Sequence, residues 1–293
     1  MRITQRAVAL TSLQGLNRNL ASVSKLQQQL TSGKQISAPS DSPTGTNRAM
    51  QTRDDQAAVE QQARNIDDAQ SWLDQTDSTL QTMLEHARRV QNLGIQAVNG
   101  GSSAASNEAL ATEVSSLREG MIALANTSVR GRPLFGGVTS TGKAYDASGT
   151  WAGDASAPVM RRVSDTENIR IDITGPEAFG AAPDDLFAVV DRIATALTAG
   201  NTAGIQGSLG DLDKVMNGML SAVANVGSRG TRVEGLQQIN SDRALALSSQ
   251  LANTEDIDMP ETIMRLQMVQ VGYQAALSAT SKAISPTLLD YLR

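Results

Sequence analysis

Gly137 to Ala144, GVTSTGKA, carries the G-x4-G-K spacing of a loop that cradles phosphate. Such a loop works by aiming backbone N–H groups and the lysine at phosphate oxygens, while a Ser or Thr after the lysine holds Mg²⁺. Ala144 stands where that hydroxyl belongs, and neither a buried strand before the stretch nor a helix after it is evident, so a surface turn is expected. Asp256, Asp258 and Glu261 could be grouped as a cation site. The same residues serve a helix start, because Asp258 and Glu261 have capping-box spacing and Pro260 falls in the first turn. The one histidine, His86, has no second histidine to complete a common zinc set, and nothing around it suggests the turn of a serine nucleophile. With no cysteine, neither a disulfide nor a thiolate metal site can form. The 30 acidic residues are scattered over helical stretches as solvated faces and single out no acid–base pair. No pattern therefore specifies catalysis, a cofactor or a metal.

A net charge of -5 and a pI near 5.0 give no general reason to expect nucleic acid. The charge is uneven: Met1 to Lys34 holds Arg2, Arg6, Arg18, Lys25 and Lys34 and no acidic residue. Such a start has the composition of an organelle transit peptide. Its apolar spacing, however, runs on to Leu30 without a processing boundary, which favours a structural helix. No apolar run approaches the ~18 to 20 residues that span a bilayer, so no membrane insertion is expected. The compact apolar core of a secretory signal is missing too, so any route out of the cell must be a different one.

The elements that would position any functional residue are mostly helices. Leu10, Leu13, Leu16, Leu20, Val23, Leu26 and Leu30 recur at steps of three and four, predicting an amphipathic helix of roughly 30 residues, about 45 Å long. Thr31 to Gly45 interrupts it. Gly33 and Lys34 supply a stop, Pro39 an extended connection, and Ser42 with Pro43 a cap and first turn. A second helix of ~50 residues is expected from about Thr44 to Val98, on Val59, Ile66, Leu73, Leu80, Leu84, Val90 and Leu93. Asn99 to Ser102 breaks it, and a third helix carries Leu110, Val114, Leu117, Met121 and Leu124 at coiled-coil steps.

Gly131 to Pro183 is rich in Gly, Ser, Thr and Pro, and the alternation Ile169, Ile171, Ile173 predicts a half-buried strand in a small β unit. Arg161 and Arg162 are expected on its strand or turn surface. Helical spacing returns at Asp184, and a last long helix starts near Asp258. The fold class expected is mainly α with a small β insertion: a long antiparallel helical hairpin or coiled-coil core with the N- and C-terminal helices together. Three regions follow: a terminal helical region (1–42 and 255–293), a long-helix core (43–130 and 184–254) and a β-rich part (131–183).

The last helix has two stripes. Ile263, Leu266, Tyr273, Leu277 and Ile284 form one; Met264, Met268, Val271 and Ala275 form another, displaced around the axis. If one packs on the N-terminal helix, the other needs a cover, since several exposed apolar side chains mark a contact surface. Other helices of the same chain or neighbouring chains could supply it, and periodicity does not choose.

LTSGKQISAPSDSPTG (Leu30 to Gly45), NVGSRGTRVEGLQ (Asn225 to Gln237) and DIDMPETIMRLQMVQVGYQAALSATSKAISPTLLDYLR (Asp256 to Arg293) resemble the corresponding stretches of the bacterial flagellin family, in order and spacing, over about half the chain. Ser42 departs mildly, where a second Asp is frequent. GRPLFGG (Gly131 to Gly137) and SPTLLDYL at the C-terminus are more similar to the family's hook-filament junction branch than to its filament subunits, a short flagellin being the alternative. The resemblance implies a non-catalytic structural part of the flagellum, outside the cell, exported by the flagellar type III system without a cleaved signal peptide. It implies four kinds of partner: other copies of the chain, another hook-associated protein on the hook side, flagellin on the filament side, and a cytoplasmic export chaperone. With the stripes, it implies subunit contacts at Leu13, Leu16, Leu20, Val23 and Leu30 and at Ile263, Met264, Leu266, Met268, Val271, Tyr273, Leu277, Ile284 and Leu288.

Overall fold

The computed structural model describes residues 2–100, 103–139 and 142–284. Seven helices are present among them: α1 (Arg2–Ser32), α2 (Pro43–Asn99), α3 (Ala104–Ala125), α4 (Gly175–Phe179), α5 (Leu186–Thr198), α6 (Thr202–Glu255) and α7 (Met259–Ile284). Between α3 and α4 lie β1 (Ser128–Val129), β2 (Arg132–Pro133), β3 (Met160–Arg162) and β4 (Asn168–Arg170), paired antiparallel as β1-β2 and β3-β4. The chain is mainly α with a small β insertion, as its periodicity predicts.

Two compact units divide it, residues 59–243 and the paired segments 1–58 with 244–293. In the 59–243 unit, α2 and α6 run antiparallel. Asn240 donates to the Val59 carbonyl at 3.2 Å, Gln237 to Asp67 at 3.4 Å and Gln91 to Asp213 at 2.5 Å, so partner numbers fall along α6 as they rise along α2. Between these helices and the α3–α5 pair sits a continuous core that includes Ile66, Leu73, Leu80, Met83, Val114, Met121, Ile193 and Leu212. Its α3 members keep the steps of four and three that mark a buried seam, and the apolar face of α5 turns Val189, Val190, Ile193 and Leu197 inward.

The same core continues into the β insertion. All three phenylalanines, Phe135, Phe179 and Phe187, gather there with Tyr145 in edge-to-face contacts whose ring centroids are 4.8 to 6.0 Å apart. Burial pushes the Tyr145 hydroxyl well above its ordinary pKa, and the Asp185 carboxylate adds to the shift. Trp151 closes one side, donating its indole N–H to the Phe135 carbonyl at 2.9 Å.

The strand expected at Ile169 to Ile173 is shorter and more enclosed than its alternation implies. Ladder pairing stops at Arg170, and Ile169, Ile171 and Ile173 are buried, but so is Asp172 between them. That carboxylate accepts from the Val159 N–H at 2.8 Å and Arg170 Nε at 3.0 Å, while the Asp172 carbonyl accepts from Arg229 at 2.8 Å. Polar residues in this run therefore face partners instead of water. Arg170 also holds Glu177 at 2.7 Å, and despite its partial burial the Glu177 carboxyl lies below the ordinary carboxylate pKa because of this guanidinium and the Thr174 N–H. Arg161 lies in β3, as expected, and pairs with Asp68 of α2 at 2.7 Å.

Gly175, the first residue of α4, is where the aromatic cluster permits no side chain: a Cβ would stand 2.2 Å from Tyr145 Oη and 2.6 Å from Trp151 Cδ1. Overpacking of this kind costs about 2 kcal/mol, so Gly175→Ala is expected to lower the melting temperature of the 59–243 unit by roughly 4 to 8 °C. Adding Tyr145→Phe removes the clashing oxygen and should restore part of that loss in a calorimetric scan. Equal melting of Gly175→Ala and the native chain would contradict the tight packing.

Candidate functional site

The phosphate-loop spacing does not build a phosphate site. Gly137 pairs with Asp154, whose carbonyl accepts the Val138 N–H at 3.0 Å. Beyond Lys143, the N–H groups of Ala144 and Tyr145 both donate to Asn126 Oδ1 at 2.9 Å, and Tyr145 then bridges to Trp151. The Val138, Ala144 and Tyr145 amides are thus taken, and the next helix begins only at Gly175. Among the described residues no group of three or more His, Asp and Glu is placed to hold a metal ion. Asp258 caps α7 through the Glu261 N–H at 3.0 Å, as expected. The reciprocal half of the capping box is replaced, since the Glu261 carboxylate pairs with Arg265 one turn on at 2.6 Å. His86 is half-buried on α2 next to Gly120 of α3.

The remaining candidate is the apolar surface of the terminal unit. Its geometry starts at Thr31 to Gly45. Gly33 takes φ 70°, a left-handed value that ends α1 and that glycine adopts without strain. The chain then crosses beside the end of α6: the Gln35 N–H donates to the Glu255 carbonyl at 2.5 Å and the Ile257 N–H to the Gly33 carbonyl at 3.1 Å. The Glu255 side chain, only 5% exposed, accepts from Lys34 Nζ at 2.8 Å and Arg53 Nη2 at 2.6 Å. One carboxylate thus ties the end of α1, the first turns of α2 and the end of α6. Asp41 braces the turn itself, accepting from Lys25 Nζ at 2.9 Å and from the Ser37 and Ala38 N–H groups at 3.1 Å. The Lys25 ammonium and then these two amides hold its pKa below the ordinary carboxylate value. Ser42 Oγ accepts the Gly45 N–H at 3.1 Å, and Pro43 opens α2.

From this knot α7 runs back along α1. On α1 the half-buried positions include Ser12, Leu16, Asn19, Val23, Leu26 and Leu30; on α7 they follow buried Thr262 through Leu266, Val269, Tyr273, Ala276 and Thr280. Both series alternate steps of four and three, the seam of a two-stranded coiled coil. Leu16, Val23, Leu30, Leu266 and Tyr273, expected as contacts between subunits, thus lie in the seam between α1 and α7 of one chain. Val269 and Ala276 belong to the same seam, and the four-three count through Leu266 and Tyr273 is the signal that finds them. Ile263 and Leu277, grouped in sequence with the packing stripe, sit outside it at 44% and 43% exposure.

Outward of the seam, Leu10, Leu13 and Leu20 on α1 and Met264, Met268, Val271 and Ala275 on α7 face solvent. Ile284 ends α7, and Leu288 with the SPTLLDYL ending lies outside the described residues. Among the described residues, the buried apolar side chains of this unit are Ala49 and Leu247 alone. Each half-exposed Leu or Met forgoes about 1 kcal/mol of the ~1.5 to 3 kcal/mol that full burial gives. Among the described residues, no other helix of this unit covers the second stripe.

Two measurements check the knot. Glu255→Gln keeps the shape and removes the charge from two ion pairs whose cations can rehydrate, a loss of about 1 to 2 kcal/mol. Amide exchange at Gln35 and Ile257 should then speed up roughly five- to thirty-fold. The depressed Asp41 carboxyl contributes stability that is present above the ordinary carboxylate range and lost as pH falls through its lowered folded value, so order at Ser37 and Ala38 should fade only below about pH 4. Following the Asp41 carboxyl carbon by NMR, Lys25→Ala should move its midpoint up toward the ordinary value; an unmoved midpoint would remove Lys25 as the cause.

Residues 3–140 match the family model for the bacterial flagellin N-terminal helical region. Flagellar hook-associated protein 3 of Escherichia coli K12 is 27% identical over 304 residues, covering 95% of this chain and 96% of that protein. Flagellin of Bacillus subtilis 168 is 24% identical over 304 residues, covering 97% and 96%. The crystal structure of Bacillus cereus FlgL superposes with a TM-score of 0.62 at 23% identity, over 69% of this chain and 99% of that one, a likeness of fold. The chain is thus similar to the bacterial flagellin family over its N-terminal helices, and it aligns nearly end to end with these relatives.

Proposed function

We propose that the chain is a structural component of the flagellum that joins hook to filament, assembled through its terminal helices. One observation carries this reading: both terminal helices present apolar stripes outside their mutual seam, in a unit with almost no core of its own. Residues 1–42 and 255–293 act as the assembly region, 43–130 and 184–254 as the long-helix core, and 131–183 as a small β-rich outer part. The stripes at Leu13, Leu20, Met264, Met268 and Val271 contact neighbouring copies, another hook-associated protein on the hook side and flagellin on the filament side. Before export through the flagellar type III system a cytoplasmic chaperone covers the C-terminal helix, since free apolar stripes of this size promote aggregation. The chain works outside the cell without catalysis or cofactor. Nucleic acid has no part in this role, and no described helix is long and apolar enough to cross a membrane.

A short flagellin is the second reading, favoured by the similarity to filament subunits. Seeded growth separates the two: a flagellin extends seeds into long filaments, whereas a junction protein adds a limited layer and stops. Deleting the gene should leave cells that secrete flagellin but carry bare hooks. The native gene should restore filaments, and a Leu13→Asp/Val271→Asp variant should not, although its 59–243 unit melts unchanged. Filaments on hooks of the deletion strain would end the junction reading.

A further inference from the structure

Methionines divide sharply by environment. Met83, Met121 and Met219 are fully buried in the 59–243 unit, while Met264 and Met268 on α7 are 60% and 73% exposed. These two stand one helical turn apart on the same stripe as Val271 and Ala275, and Met268 borders a groove lined by Leu26 and Val269 at the α1–α7 seam. A thioether fills an irregular apolar contact well because it is unbranched and polarizable. The same sulfur is open to two-electron oxidants whenever the face is uncovered.

We propose that Met264 and Met268 form an oxidation-sensitive site, at which peroxides control whether this face of α7 can dock; this rests on the assembly role proposed above. In the reaction each sulfur takes one oxygen from hydrogen peroxide and the O–O bond breaks. Sulfur is oxidised by two electrons and the other peroxide oxygen leaves as water. The product, a sulfoxide, replaces an apolar side chain with a polar one, and an apolar neighbour cannot satisfy its oxygen. Sensitivity is therefore confined to the free chain. Once a neighbour covers the stripe, the sulfurs are shielded, and a methionine sulfoxide reductase can rescue only chains that have not yet assembled.

The test uses the full chain and hydrogen peroxide. Peptide mass spectrometry should show Met264 and Met268 oxidising at least about tenfold faster than Met83, Met121 and Met219. Oxidised chain should lose most of its binding to hooks isolated from cells lacking the gene, and sulfoxide reductase should restore it. A Met264→Leu/Met268→Leu variant keeps Met50, Met160 and Met259, which are also exposed, as internal controls. Its binding to hooks should be the same before and after peroxide treatment. Equal oxidation of buried and exposed methionines overturns the proposal, as does normal binding by chain oxidised at both positions or continued peroxide sensitivity in the double variant. If untreated chain fails to bind hooks, the assembly reading falls and the docking control with it, while the oxidation map still decides whether the site exists.

Discussion

Two antiparallel helices can cover only one seam between them, and this constraint governs the terminal unit. An α-helix carrying a single apolar stripe is satisfied by one partner; one carrying two stripes needs a second. Along α1 and α7 even the seam is half covered, Thr262 being its one buried member among the described residues. The 59–243 unit meets the same problem by adding layers. There α3 and α5 close over α2 and α6, and the phenylalanine cluster fills the end where helices give way to short strands. Both units use similar amphipathic helices. What differs is the number of elements within reach to cover them.

The Glu255 knot holds the uncovered helices in register. Without a core, the terminal unit depends on directed polar contacts to set where α7 starts relative to where α1 ends. A short bridge between Lys34 and Asp256, together with a nearly buried carboxylate shared by two cations, does this within a few residues. Charge-assisted hydrogen bonds suit the task because they are directional, whereas an apolar seam tolerates sliding by a heptad. Within this turn Ser42, Asp41 and Gly33 each satisfy a specific backbone group or angle.

Local chemistry was legible in the sequence, and shared burial was not. Gly33, Ser42 with Pro43, and Asp258 mark helix ends through interactions spanning a few residues, and the helices end where those residues stand. Adjacent stripes on α7 are harder to read. Ile263 and Leu266 lie three residues apart and both are apolar, so periodicity grouped them, yet only Leu266 falls in the four-three series that α1 can meet. The Ile169 to Ile173 alternation implied a wet face, but Arg229 from α6 and the Val159 amide, both distant in sequence, cover Asp172 there. Nor does spacing bring Phe135, Phe179 and Phe187 together, because their meeting depends on how the insertion folds back over α3 and α5.

The two outward stripes differ in kind, and the difference bears on the assembly role proposed for them. On α1 the exposed apolar side chains include Leu10, Leu13 and Leu20, in a helix with no acidic residue; on α7 the most exposed are Met264, Met268 and Val271, with Ile263 and Leu277 less so, in a helix whose first turn carries Glu261. Setting each stripe against its own copy would bring the α1 cations toward one another. Setting α1 of one molecule against α7 of another lessens that repulsion and brings leucine against the more adaptable methionine. Two molecules can exchange such contacts reciprocally and close as a pair; made in one direction only, the contact continues into a ring or a helical layer, and the assembly role proposed above needs this one-way form.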